Sequence, residues 1–207
     1  MCWNQTISLN TFLFSLFGAS FAYLNKVINI YYYLFFLSFS SMQLVEYFAW
    51  GNLNNKKRNR FLSQIGLILI AIQPILFTLS IANLKYNIKA SLIALYCIIA
   101  VFCYITIPVD FSMVKASNGH LAWNWLKPPK IYIFLWVSIM LGLLLYAQKY
   151  FEFTVLGLLF IAIYYTYYKT NTWGSLWCWI ANIVTIKLII QTFLHPSLPN
   201  CLLFEKK

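Results

Sequence analysis

Apolar residues run through this chain in seven stretches of 17 to 22 residues, at 7–24, 31–50, 62–83, 90–108, 131–147, 151–168 and 175–194, with short polar segments between them. A bilayer core takes about 20 apolar residues to cross as a helix. Each stretch therefore predicts a transmembrane helix, which satisfies its own backbone hydrogen bonds in lipid. The dyad alternation of a membrane barrel is absent. The fifth and sixth stretches are parted only by a tight turn at Gln148-Lys149-Tyr150. With no basic residue before it, the first stretch reads as a retained helix, not a removed signal. The expected fold is an all-α integral membrane protein, one seven-transmembrane-helix bundle over residues 1–207.

Composition agrees. The chain is 62% hydrophobic and 9% charged, whereas a soluble domain carries about a quarter charged residues. Its acids are Glu46, Asp110, Glu152 and Glu205. With side A defined by the amino terminus, Lys56, Lys57, Arg58, Arg60, Lys115, Lys127, Lys130 and Lys169 fall on A. Lys26, Lys85, Lys89, Lys149, Lys206 and Lys207 fall on B. The excess on A points it to the cytoplasm. The net charge of +11 suits anionic headgroups and calls for no nucleic acid. Five cysteines without a spaced framework predict free thiols, not a disulfide scaffold.

The same numbering puts Trp3, Trp50, Trp123, Trp125, Trp136, Trp173, Trp177 and Trp179 at side A. Aromatic belts ordinarily form at both interfaces. One-sidedness predicts a built feature at that face.

Polar positions inside the stretches are few. Glu46 is read as the single acid within a span, and such residues are functional candidates. Gln43, Glu46 and Trp50 share one helix face at i, i+3 and i+7. Gln73-Pro74 lies mid-helix, where proline frees a carbonyl that neighbours must satisfy. Ser8, Thr11, Ser15 and Gly18 repeat the spacing of Ser175, Cys178, Asn182 and Thr185, a pattern of close helix packing. Asn182 lies about 10 Å below side A, the depth of Gln43, so a Gln43–Glu46–Asn182 cluster is expected. Lys187 lies opposite the polar stripe of its helix. It is expected to face lipid or another subunit and to snorkel to side B, which argues against a retinal linkage.

Loop 109–130 is the longest and carries Asp110, His120, Trp123 and Trp125, a candidate lid. Trp123-Asn124-Trp125 alternatively lies in the interface as an amphipathic segment. His120 and His195 fall on opposite sides, so no metal site forms between them. No cofactor is indicated. Phosphate loops and nucleophile elbows are absent, and nothing supports an enzyme.

Met1-Cys2-Trp3, Ser8-Leu9-Asn10-Thr11-Phe12, Met42-Gln43-Leu44-Val45-Glu46, Gln73-Pro74 and Ser175-Leu176-Trp177-Cys178-Trp179-Ile180-Ala181-Asn182 occur in that order. Together they resemble a family of uncharacterised seven-helix membrane proteins encoded by giant DNA viruses of protists. The resemblance implies a viral source, in a host-cell or virion inner membrane, and no known activity.

The leading expectation is a polar pocket or path entered from side A. Glu46 is its charged group, Gln43, Gln73 and Asn182 its lining, and Trp50, Trp177 and Trp179 its vestibule. Its guest is a proton, a small cation or a small amphipathic ligand, since tryptophan faces attract cations. The alternatives are a structural bundle that organises a viral membrane and a receptor-like bundle with loop 109–130 as lid.

Overall fold

The computed structural model describes residues 4–106, 109–126 and 130–194; for residues 126, 130, 131 and 175–177 it describes the backbone alone. Among the described residues seven α-helices follow one another: α1 (Gln5–Leu24), α2 (Ile30–Trp50), α3 (Lys56–Ser80), α4 (Tyr86–Thr106), α5 (Lys130–Tyr146), α6 (Tyr150–Tyr167) and α7 (Trp177–Leu194). Four of them, α1, α3, α4 and α6, are long and apolar enough to cross a membrane. Helices α5 and α7 are apolar too, over Tyr132–Tyr146 and Cys178–Leu194. In α2, tyrosines, serines, Gln43 and Glu46 dilute the apolar character, and this helix carries much of the core.

The helix starts come from asparagine. The Oδ1 atoms of Asn4, Asn29 and Asn55 accept from the backbone N–H groups of Ile7 (2.9 Å), Tyr32 (2.8 Å) and Arg58 (3.1 Å). Each satisfies a donor the first turn would otherwise orphan. The cap at Asn55 starts α3 at Lys56, six residues before the expected 62, so the basic run forms its first turns. Asn29 also donates to the Ser80 carbonyl at 2.8 Å, tying the start of α2 to the end of α3. Helices α1, α5 and α6 end alike. At each, a residue with positive φ (Lys26, Gln148, Asn171) reverses the chain. Val27, Lys149 and Thr172 then donate to carbonyls five residues back, the pattern of a left-handed cap.

Helix α2 packs on α1 and α3, and α1 packs on α7. The α1–α7 seam is the small-residue stripe read from the sequence. Ser8, Ser15 and Thr185 are fully buried there, and Thr185 donates to Ser15 at 3.2 Å. A Cβ on Gly18 would lie 2.5 Å from Thr185 Cγ2, so the backbones approach too closely for a larger residue. Helices α4 and α6 are peripheral, with apolar surfaces that face outward; no described residue of α6 is buried.

The fold is not wholly helical. Loop 109–126 contains a small antiparallel hairpin, β1 (Met113–Lys115) with β2 (Leu121–Trp123), in register Met113 with Trp123 and Lys115 with Leu121. Gly119, at φ 82°, makes the turn a side chain would strain. A 3₁₀ turn at Asn124–Leu126 follows. The segment expected as a lid, or as an interfacial amphipathic stretch at Trp123-Asn124-Trp125, is a hairpin docked on the bundle, with Trp123 and Trp125 buried. Strands of three residues leave no periodicity long enough to read.

Candidate functional site

End A of the bundle gathers the last turn of α2, the start of α3, the hairpin and the α6–α7 connection. Asn59 of α3 clamps the hairpin: its Nδ2 donates to the Met113 carbonyl at 2.7 Å and its Oδ1 accepts from the Met113 N–H at 2.8 Å. One amide thus stands in for a neighbouring strand. On the other side, Asn171 Nδ2 donates to the Trp123 carbonyl at 2.7 Å, and Asn118 donates to Thr172 at 2.8 Å. Trp123 and Trp125 stack with ring centroids 5.2 Å apart, and both are buried. The Trp125 ring occupies the groove left by Gly66 of α3. These rings fill the end of the bundle.

The other expected site residues lie on the helices and the cap. Glu46, Gln43 and Gln73 are buried. Trp50 is half-buried, and Trp179 is exposed. Asp110 is exposed on the cap and His120 half-buried beside Tyr167, with ring centroids 6.1 Å apart. Burial holds the His120 imidazole below its ordinary pKa. The structure keeps Gln43 and Glu46 on one face of α2. Asn182 is half-buried on α7, and its Oδ1 has no hydrogen-bond partner among the described residues. It is nearly opposite Ile180 around α7. Trp3 and the Trp177 side chain, both expected in the aromatic ring, lie outside the described residues. Trp136 is not at the face. It stands about 9 Å along α5, and its Nε1 donates to the Ile70 carbonyl at 3.3 Å. That carbonyl is four residues before Pro74, the one a proline deprives of its helical donor.

The open space lies in the other half of the bundle. A cavity of about 160 Å³ runs between α2, α3, α5, α6 and α7. Phe35, Phe36 and Phe39 of α2 and Phe77 of α3 line its apolar wall, and Trp136 and Phe160 stand at its inner end. Lys149, Glu152 and Lys187 are the charged residues of its lining, all toward end B, and this charged end is taken as its mouth. Ten residues of α6 separate the start of the helix from Phe160, a depth of about 15 Å.

At that mouth Lys187 Nζ donates to Glu152 Oε1 in an ion pair, with the side chains 33% and 23% exposed. Two expectations are corrected here. Lys187 does not snorkel freely to lipid, because the small-residue stripe of α7 faces α1 and turns the opposite face toward the cavity. Nor is Glu46 the one acid in a helix, because Glu152 sits in the first turn of α6. That position favours a carboxylate at the helix N-terminus. The signal was present in the spacing: Glu152 stands about 3 Å from the start of α6 and Lys187 about 10 Å from the end of α7, both toward B.

Among the described residues, no group of three histidine, cysteine or acidic side chains gathers to hold a metal ion. Compared with protein-family models, with curated proteins and with solved structures, the chain shows no match.

Proposed function

We propose that this chain is a multipass membrane protein whose seven helices cross the bilayer and bind a small amphipathic ligand at the α2–α5–α6–α7 cavity. The observation that carries the reading is the cavity itself, apolar along its length and charged only at one end. Ligand sites are concave, mostly apolar and marked by a few placed polar groups. An inorganic ion in the aromatic interior would find nothing to replace its hydration. An alkyl chain fits, with its head among the charges at the mouth. This moves the expected pocket from side A to the B half and keeps one of its expected guests.

The test is saturable binding of ten-carbon amphiphiles to purified protein in nanodiscs. Wild type is expected to bind at one site, and Val184→Trp, which fills the cavity, is expected to lose it. Absence of saturable binding for every head group would refute the proposal.

A second reading rests on the α2 stripe. Tyr32, Phe36 and Phe39 line the cavity, and Gln43 and Glu46 continue the same face toward end A at helical spacing. Conduction of a proton along this stripe predicts flux in proteoliposomes that Glu46→Gln abolishes; unchanged flux excludes it.

A further inference from the structure

The mouth of the cavity carries two lysines and one carboxylate, so one positive charge is left over. Building on the ligand-binding reading, we infer that the ligand is an anionic single-chain amphiphile whose head displaces Glu152 from Lys187. The Lys187–Glu152 pair is then an internal stand-in for the bound head group.

Three observations fix the class. The first is charge. Glu152 is matched by Lys187, and Lys149 stands beside them without a carboxylate of its own among the residues lining the cavity. An anionic head meets two lysines. A cationic head meets the same two and competes with Lys187 for one acid.

The second is the start of α6. Lys149 precedes the helix without a side-chain hydrogen bond to it, so the first backbone N–H groups have no cap from that residue. Phe151 and Glu152 of that first turn line the cavity. The Glu152 carboxylate accepts a backbone N–H of this turn; helix N-termini attract anions, so a head group that displaces Glu152 meets the same donor beside the lysines and the cavity.

The third is size. A cavity of about 150 Å³ lined by apolar side chains accommodates a benzene molecule. The space here, about 160 Å³, takes one slender alkyl segment and not two. Fatty acids and one chain of an anionic lipid share this chemistry, a single alkyl tail joined to an anionic head.

The partial exposure of the pair lets a head group reach Lys187 without unfolding the helix ends. Exchange of one carboxylate for another leaves the charge on Lys187 compensated throughout. An approaching neutral alcohol offers no such replacement, and breaking the pair for it would strand both charges.

The experiment compares decanoate, decanol and decylamine, radiolabelled, on the full chain in phosphatidylcholine nanodiscs. Decanoate is expected to bind at least about tenfold more tightly than the other two, the scale of one charge-assisted hydrogen bond. Glu152→Gln frees Lys187 and is expected to strengthen decanoate severalfold. Lys187→Gln is expected to weaken it about tenfold, while decanol changes less than about twofold in either variant. The Glu152→Gln/Lys187→Gln double variant, neutral at both positions, controls for folding: its melting temperature should match wild type and its decanoate preference should fall.

Equal binding of the three probes, or weaker decanoate binding in Glu152→Gln, overturns the inference and leaves the cavity reading standing. Failure of all three probes to bind overturns the cavity reading itself. Phosphatidylglycerol added to the nanodisc distinguishes the source: competition with decanoate supports a lipid head at this site, and its absence supports a free acid.

Discussion

The indole of Trp136 on α5 donates to the carbonyl of Ile70 on α3 at 3.3 Å, and Pro74 is the residue that leaves this carbonyl without a helical partner. Proline opens the ladder and a neighbouring helix closes it. The bond joins α3 to α5 at the inner end of the cavity, where Trp136 is also wall. Thr78 Oγ1 also donates to the Pro74 carbonyl at 2.7 Å, a side-chain back-bond within α3.

Trp136→Phe is therefore expected to destabilise the bundle by about 1–3 kcal/mol, the range for a buried polar group left unsatisfied. In a Pro74→Ala background the alanine N–H can serve Ile70, so the same substitution should cost distinctly less. A double-mutant cycle on thermal or denaturant unfolding measures the coupling. Additive effects would show that Trp136 acts there by packing alone.

At the α1–α7 seam, Gly18→Ala is expected to cost about 1–3 kcal/mol, because its Cβ would meet Thr185 Cγ2 at 2.5 Å and Ile189 Cδ1 at 3.3 Å. Thr185→Ser removes that methyl and retains the hydroxyl that bonds Ser15 and the Ala181 carbonyl. Combining the two substitutions should recover much of the loss. Melting temperatures of the four proteins decide it, and a double variant no better than Gly18→Ala would place the clash elsewhere.

The seam was legible in the sequence because Ser8, Thr11, Ser15 and Gly18 repeat within a single helix, and a repeat along one helix depends on nothing distant. The seven helices were legible for the same reason. Asn59 was not: it stands in a basic run that looks like a loop, and its partner Met113 is 54 residues away. The hairpin has strands too short to show alternation. The facing of Lys187 required knowing which side of α7 meets α1, a packing choice that periodicity alone leaves open. Glu46 and Gln43 share a face as expected, since i and i+3 always do.

Asn59→Asp retains an acceptor for the Met113 N–H and replaces the donor to the Met113 carbonyl with an oxygen. Asn59 is only 5% exposed, so water does not make up the loss. The cost is expected at about 1–3 kcal/mol, concentrated in the cap. Hydrogen exchange should accelerate at residues 113–123 well before the helices respond. Uniform acceleration throughout the bundle would mean that the cap and the helices open as one unit.

His120 gives the cap a dependence on pH. Burial lowers its pKa in the folded state, while the unfolded chain retains the ordinary value of about 6.5. Between the two values the unfolded state binds more protons, so stability there rises with pH. The contribution is complete above about 6.5 and is lost as pH falls through the folded value. The backbone of His120 closes the hairpin turn, its carbonyl accepting from Ala116 at 2.8 Å and its N–H donating to Asn118 Oδ1 at 3.2 Å. Protonation should therefore loosen the hairpin first. Exchange of the 113–123 amides, corrected for intrinsic rate, is expected to speed up on acidification below about 6.5 in wild type. In His120→Gln, which cannot titrate, that acceleration should be much reduced. An equal response in both proteins would assign the acid sensitivity to another group.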